Sequence, residues 1–216
     1  MDGKTIAKKM QVISNGINGA LNNPKIMEAL APFSYTREKI LQGRTLWNKA
    51  NILVVVQVKE YGDQYAATQS GKTQWSESYA NYMIVLKVAR VAFKGDVGAL
   101  ATILATGSRS KSLSGWLRES RVFYTNLLNN PDYVSRMEEF GFTSEKLIND
   151  LHLVEEVEKL HQQQLKEIGE AQQATINRDK ALDELYEWYS DFRAIARIAL
   201  YETPQLLEGL GISVKS

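Results

Sequence analysis

Glu158 and His161 stand three residues apart, a spacing that puts a carboxylate and an imidazole on one face of a helix. Carboxylate-bridged di-iron bundles use that pair on two helices, with a glutamate from each of two others. Here the pair occurs once, and the chain has 2 His in all. The other one, His152, lies nine residues away, on the opposite side of the same helix. Glu158 and His161 thus supply only half of such a motif and read as structural or incidental, and no metal or other cofactor is expected. Nucleophilic chemistry has less to stand on. Cys is absent, and no Gly-x-Ser-x-Gly elbow or glycine-rich phosphate loop occurs.

A second constellation recurs. Tyr79, Tyr82 and Arg90 are matched by Tyr186, Tyr189 and Arg197. A tyrosine on an inward helix face carries a hydroxyl that needs a partner. Flanking Ala89 and Ala92, and Ala196 and Ala199, let another helix approach closely. One reading is a helix-packing motif; the other is a Tyr/Arg-lined pocket for an anionic or aromatic small molecule. Trp47, Trp75, Trp116 and Trp188 read as core. Arg109, Lys111, Arg118 and Arg121 form a basic cluster that reads as a solvated face, because net charge is +1 and no nucleic-acid motif accompanies it.

The recurrence extends along the chain. A shift of 107 residues, with no gap, places Leu21-Asn22-Asn23-Pro24 on Leu128-Asn129-Asn130-Pro131 and Gln57-x-Lys59-Glu60 on Gln164-x-Lys166-Glu167. It also places Gly62 on Gly169 and Ala89-Arg90-x-Ala92 on Ala196-Arg197-x-Ala199. Such self-similarity sets architecture before local patterns do. Two helical repeats are expected, 1–107 and 108–216, packed together as one globular bundle. The Ser/Gly-rich joint 107–112 lies between them.

Within each repeat the signals are helical. The first helix covers about 4–21, and its partner about 112–128. Asn23-Pro24 and Asn130-Pro131 read as an N-cap with proline at the first helical position. Thr36 and Thr143 read as caps of the next element, and Asp96 and Thr203-Pro204 open closing helices ending near Gly107 and Gly211. Between Thr36 and Lys94, and between Thr143 and Thr203, there is no proline. Apolar residues there recur at three and four, the seam of a helix bundle. The seam turns polar at 69–72 and again at 176–179, so two helical hairpins, 36–94 and 143–202, are expected with their turns there; the rival reading is one continuous helix of about 60 residues in each.

Asn51 to Val58 is rich in β-branched residues and could pass for a strand. Its counterpart, Glu158 to Leu165, is a polar-faced helix, so both are read as helical. The same comparison isolates a difference. Ile52, Val55 and Val56 correspond to Lys159, Gln162 and Gln163. The outer face of this helix is therefore apolar in one half only, and it should be covered by another helix of the chain or by a second subunit.

Composition bounds the rest. The 216 residues are 44% hydrophobic and 24% charged, ordinary for a globular protein. The longest apolar run is Ile52 to Val56, far short of the roughly 20 residues of a membrane span. Met1-Asp2-Gly3-Lys4 leads into no apolar core of a signal peptide. Neither nucleic acid nor membrane is expected as a partner, and a cytoplasmic location is. The stretches Gly169-Glu-Ala-Gln-Gln-Ala-Thr with Asp179-Lys-Ala, Phe192 to Leu200, and Pro204 to Ile212 resemble a group of uncharacterised bacterial proteins, short, helical and internally duplicated. The resemblance implies a bacterial origin and a helical fold, and lends no catalytic residue. The expected protein is all-α: a tandem duplication of a helical unit forming an antiparallel bundle with pseudo-twofold symmetry. Its expected role is non-enzymatic protein interaction or assembly. Small-molecule binding through Tyr79, Tyr82, Arg90, Tyr186, Tyr189 and Arg197 is the alternative, and metal binding at Glu158 and His161 a third.

Overall fold

The structure, a computed structural model, describes residues 3–214, so Met1 and Asp2 of the N-terminal reading lie outside it. No strand occurs among the described residues. Among the described residues seven α-helices follow in order: α1 (Gly3–Asn22), α2 (Pro24–Leu30), α3 (Arg37–Ala92), α4 (Val97–Thr102), α5 (Leu113–Leu128), α6 (Pro131–Glu138) and α7 (Ser144–Ala199). Two 3₁₀ segments, Ala31–Phe33 and Pro204–Leu210, complete the path. Among the described residues, no helix is long and apolar enough to cross a membrane.

Local chemistry sets the ends. The Asn23 and Asn130 side chains accept the backbone N–H of Lys25 and Asp132 at 3.1 and 3.0 Å, and a proline follows each. Asp96 accepts from the Ala99 N–H at 2.9 Å and starts α4. Helix α4 stops at Thr102 rather than near Gly107, because Leu104 turns left-handed (φ 52°). Thr203 makes no side-chain cap bond, and the closing segment Pro204–Leu210 is 3₁₀ rather than α-helical.

The expected hairpins are absent: α3 and α7 are single helices of 56 residues each. The polar stretches do not break them because the seam continues through small and polar side chains. In α7, Ala171, Ala174, Ala181 and Leu182 stay buried at helical spacing. In α3, Ala67, Thr68, Gly71 and Gln74 hold the same rhythm as half-buried residues. One glycine costs a helix interior only about 1 kcal/mol, and without proline nothing stops propagation.

Packing divides the chain into two compact units. One is split in sequence, with residues up to Tyr61 joined to Glu170 onward; the other is the contiguous Gly62–Gly169. Each draws on residues before and after position 107, because the ranges of α3 and α7 each fall partly in one unit and partly in the other. The split unit buries Ile13 and Ile17 of α1, Ile26 and Leu30 of α2, and Leu185 and Phe192 of α7. The contiguous unit buries Tyr82 and Phe93 of α3, Trp116 and Phe123 of α5, and Leu147 and Val157 of α7.

Inside each unit the α3 and α7 segments run antiparallel. In the split unit Lys49 Nζ meets Glu184 Oε2 at 2.7 Å, and Gly43 lies under Trp188, where an added Cβ would stand 2.1 Å from the indole. In the contiguous unit Gln164 Nε2 donates to Thr68 Oγ1 at 3.2 Å, and Asn81 Nδ2 to Asp150 Oδ1 at 2.5 Å. Gly43 and Trp188 correspond, under the shift of 107, to Asp150 and Asn81. One position pair is thus a ring on a glycine in one unit and an amide on a carboxylate in the other. The left-handed positions correspond as well: Ser34 (φ 65°) with Gly141 (φ 79°), and Leu104 with Gly211 (φ 66°).

These contacts set three stability expectations, each measurable by urea unfolding. Ser34 is exposed and left-handed, so Ser34→Gly stabilises the protein and Gly141→Ala destabilises it, by about 1 kcal/mol each. Gly43→Ala forces Cβ into the Trp188 ring and costs about 1–3 kcal/mol. Burial holds the Asp150 carboxyl above its ordinary value of 3.8, with the Asn81 hydrogen bond and Lys146 pulling it partly back. The native state therefore binds the extra proton, and stability falls as pH rises from 3.8 through the raised native value. Asp150→Asn keeps an acceptor for Asn81 and removes that decline. The variant is more stable than the parent at pH 7, and the two converge at pH 3.

Candidate functional site

The outward face of α3 in the split unit is apolar and open. Ile52, Val55 and Val56 are 61%, 63% and 36% exposed. The expectation that another helix of the chain covers it is corrected, because the inward face of α3 already holds its neighbours. Ala50 is buried, Leu53 and Val54 pack on the core, and Trp47 Nε1 donates to the Met10 carbonyl at 2.9 Å. In the contiguous unit Lys159, Gln162 and Gln163 are equally outward and exposed. Polar side chains therefore serve this helix face as well as apolar ones do.

Tyr79, Tyr82 and Arg90 belong to the contiguous unit. Tyr82 is fully buried, edge-on to Phe123 at 5.3 Å, and its hydroxyl accepts from Arg109 Nη1 at 3.3 Å. Tyr79 is half-buried against Trp116. The Arg90 guanidinium is turned to backbone, donating to the carbonyls of Ala105 at 2.6 Å and Gly107 at 2.8 Å. Arg90 thus fastens the segment after α4. Burial pushes the Tyr82 phenol up, with Arg109 partly opposing it, so the ring stays protonated.

Tyr186, Tyr189 and Arg197 belong to the split unit. Tyr189 is buried and donates to the Val12 carbonyl at 3.4 Å. Tyr186 is half-buried, and its hydroxyl has no hydrogen-bond partner among the described residues. Both tyrosines line an open cleft of about 310 Å³ between α1 and α7. Arg197 is exposed and does not line it; Arg193 does, together with Lys8 and Lys9. Burial raises both phenols. Asp183 adds to the effect at Tyr186, whereas Arg193 and Arg197 oppose it at Tyr189.

Glu158 and His161 line a groove with Arg118 and Arg121 in the contiguous unit. Glu158 is paired with the Arg121 guanidinium, and His161 Nδ1 is buried without a partner. Neither belongs to a cluster of three ligand-type side chains among the described residues. His152 instead meets Glu155 at 3.1 Å.

The reading of Arg109 as part of a solvated face is corrected. Its side chain is 8% exposed and stands 3.7 Å from Glu119, and it donates to the carbonyls of Leu104 and Thr106. Sequence offered no signal for this, since the partners are backbone oxygens. Lys8, Lys9 and Arg193 were also missed. Lys9 and Arg193 lie three or four residues from buried positions, and only the Tyr186 and Tyr189 repeats pointed toward them. No protein-family model, curated protein or solved structure matches this chain.

Proposed function

We propose that this is a non-enzymatic assembly protein of the cytoplasm, built by tandem duplication of a helical unit, and that its partner at α3 is a second copy of itself. The observation that supports the reading is the stripe Ile52–Val55–Val56, exposed and apolar where its counterpart is Lys159–Gln162–Gln163. Selection for folding alone does not require valine and isoleucine there, because the polar version folds into the same helix. Apolar residues at spacings of three and four suit a helix-to-helix contact, and such a stripe can meet its own copy across a twofold axis. A net charge of +1 offers little repulsion between copies. Arg90 is committed to the carbonyls of Ala105 and Gly107, and Glu158 to Arg121, which favours a binding role over catalysis.

Size-exclusion chromatography with light scattering tests this. The wild-type chain elutes as a dimer of twice 24.4 kDa, and Ile52→Lys with Val55→Lys elutes as a folded monomer. Both sites are exposed, so the substitutions change the stability of the isolated chain by about 0.5 kcal/mol or less. A wild-type chain that is monomeric at tens of micromolar would overturn the proposal.

A further inference from the structure

The cleft beside Tyr186 is open in the split unit, and the residues that open it are few. A shift of 107 residues pairs Lys9 with Trp116, Ser190 with Met83 and Arg193 with Leu86. In the contiguous unit Trp116 and Leu86 are fully buried, and the Trp116 ring lies 6.4 Å from Tyr79, filling the space. In the split unit the Lys9 ammonium stands 4.7 Å above the Tyr186 ring instead. About 310 Å³ remains open there, the lower end of the roughly 300–1,000 Å³ found for small-molecule sites. That is room for one or two fused rings.

The chemistry of the walls is specific. The interior is Val12, Ile13 and the two tyrosine rings, while Lys8, Lys9 and Arg193 stand at the edge and no carboxylate lines the cleft. Arg193 lies 5.9 Å from the Tyr189 ring. None of the three cations has an ion-pair partner among the described residues. Lysine and arginine beside an apolar cleft leave charge uncompensated where water is partly excluded, and an anionic group is what satisfies them. A tyrosine ring supplies a flat face.

We infer that this cleft binds a small amphipathic anion, with a flat apolar body against Tyr186, Tyr189 and Val12 and an acidic head held by Lys8, Lys9 and Arg193. The site lies between α1 and α7 and uses none of the stripe on α3, so it stands or falls independently of self-assembly.

Isothermal calorimetry with 1-naphthoate tests the inference on the full chain. The wild-type protein binds one equivalent saturably, and 1-naphthamide, which keeps the rings and lacks the charge, binds more weakly by at least about tenfold. Lys9→Trp places in the split unit the indole that fills the contiguous one; it keeps the helical circular-dichroism spectrum and loses naphthoate binding. Lys8→Gln with Arg193→Gln leaves the core untouched and weakens naphthoate by at least about tenfold without changing the amide. If Lys9→Trp fails to fold, the Gln pair alone decides. No saturable binding at a dissociation constant below about 1 mM, equal affinity for acid and amide, or unchanged affinity in the Gln pair would each overturn it.

Discussion

The structure depends on the narrowness of the seam between α3 and α7. Each helix gives its partner a row one or two side chains wide, and through the middle of each helix that row shrinks to alanine, glycine and threonine. Small residues keep the helical period, but they bury little apolar area per residue. Neither long helix could stand on the seam alone. The short helices supply what is missing. In the split unit α1 and α2 add Ile13, Ile17, Ile26 and Leu30. In the contiguous unit α5 and α6 add Trp116, Phe123 and Met137. The outer flank of α3 is left over from this arrangement, and its composition is free to serve something else.

Corresponding positions show how one backbone tolerates different chemistry. Trp188 over Gly43 and Asn81 beside Asp150 solve the same contact by shape and by hydrogen bonding. The large ring needs a residue without a side chain, whereas the short amide needs a partner that accepts its hydrogen bond. Lys9 and Trp116 differ in the same manner, except that the lysine leaves space that the indole occupies. The left-handed turn at Ser34 and Gly141 keeps its backbone while the residue changes. Conformation is held more tightly than side-chain identity, because caps and turns fix where each helix begins, and packing then accepts several solutions.

Much of the fold was legible from the residues. Asn23-Pro24, Asn130-Pro131 and Asp96 read as helix starts because the cap bond is local, and the structure contains those bonds. Asn51 to Val58 is helical, as its polar counterpart required despite the β-branched run. The hairpin turns failed for a definite reason: loss of large apolar residues resembles a break in pattern, yet a helix continues while small residues keep the period and proline is absent. The candidate sites were harder. Tyr186 and Tyr189 marked the neighbourhood of a cleft, but its cations come from α1 and from a residue one turn past Tyr189. Arg90 and Arg109 carry charge that is spent on carbonyl oxygens, and no spacing rule announces a backbone partner.

Division of the chain into Gly62–Gly169 and its complement also orders events in time. All residues of the contiguous unit precede residue 170, so its core can close without the C-terminal segment. The first 61 residues wait, with Ile13, Ile17 and Ile26 uncovered, until Leu185, Phe192 and Leu210 emerge. Contacts that span most of the chain are slow to form and leave apolar surface open meanwhile. The N-terminal segment is thus the part most dependent on protection in a nascent chain, and a release factor that acted a few dozen codons early would leave one finished unit and one that can never be completed.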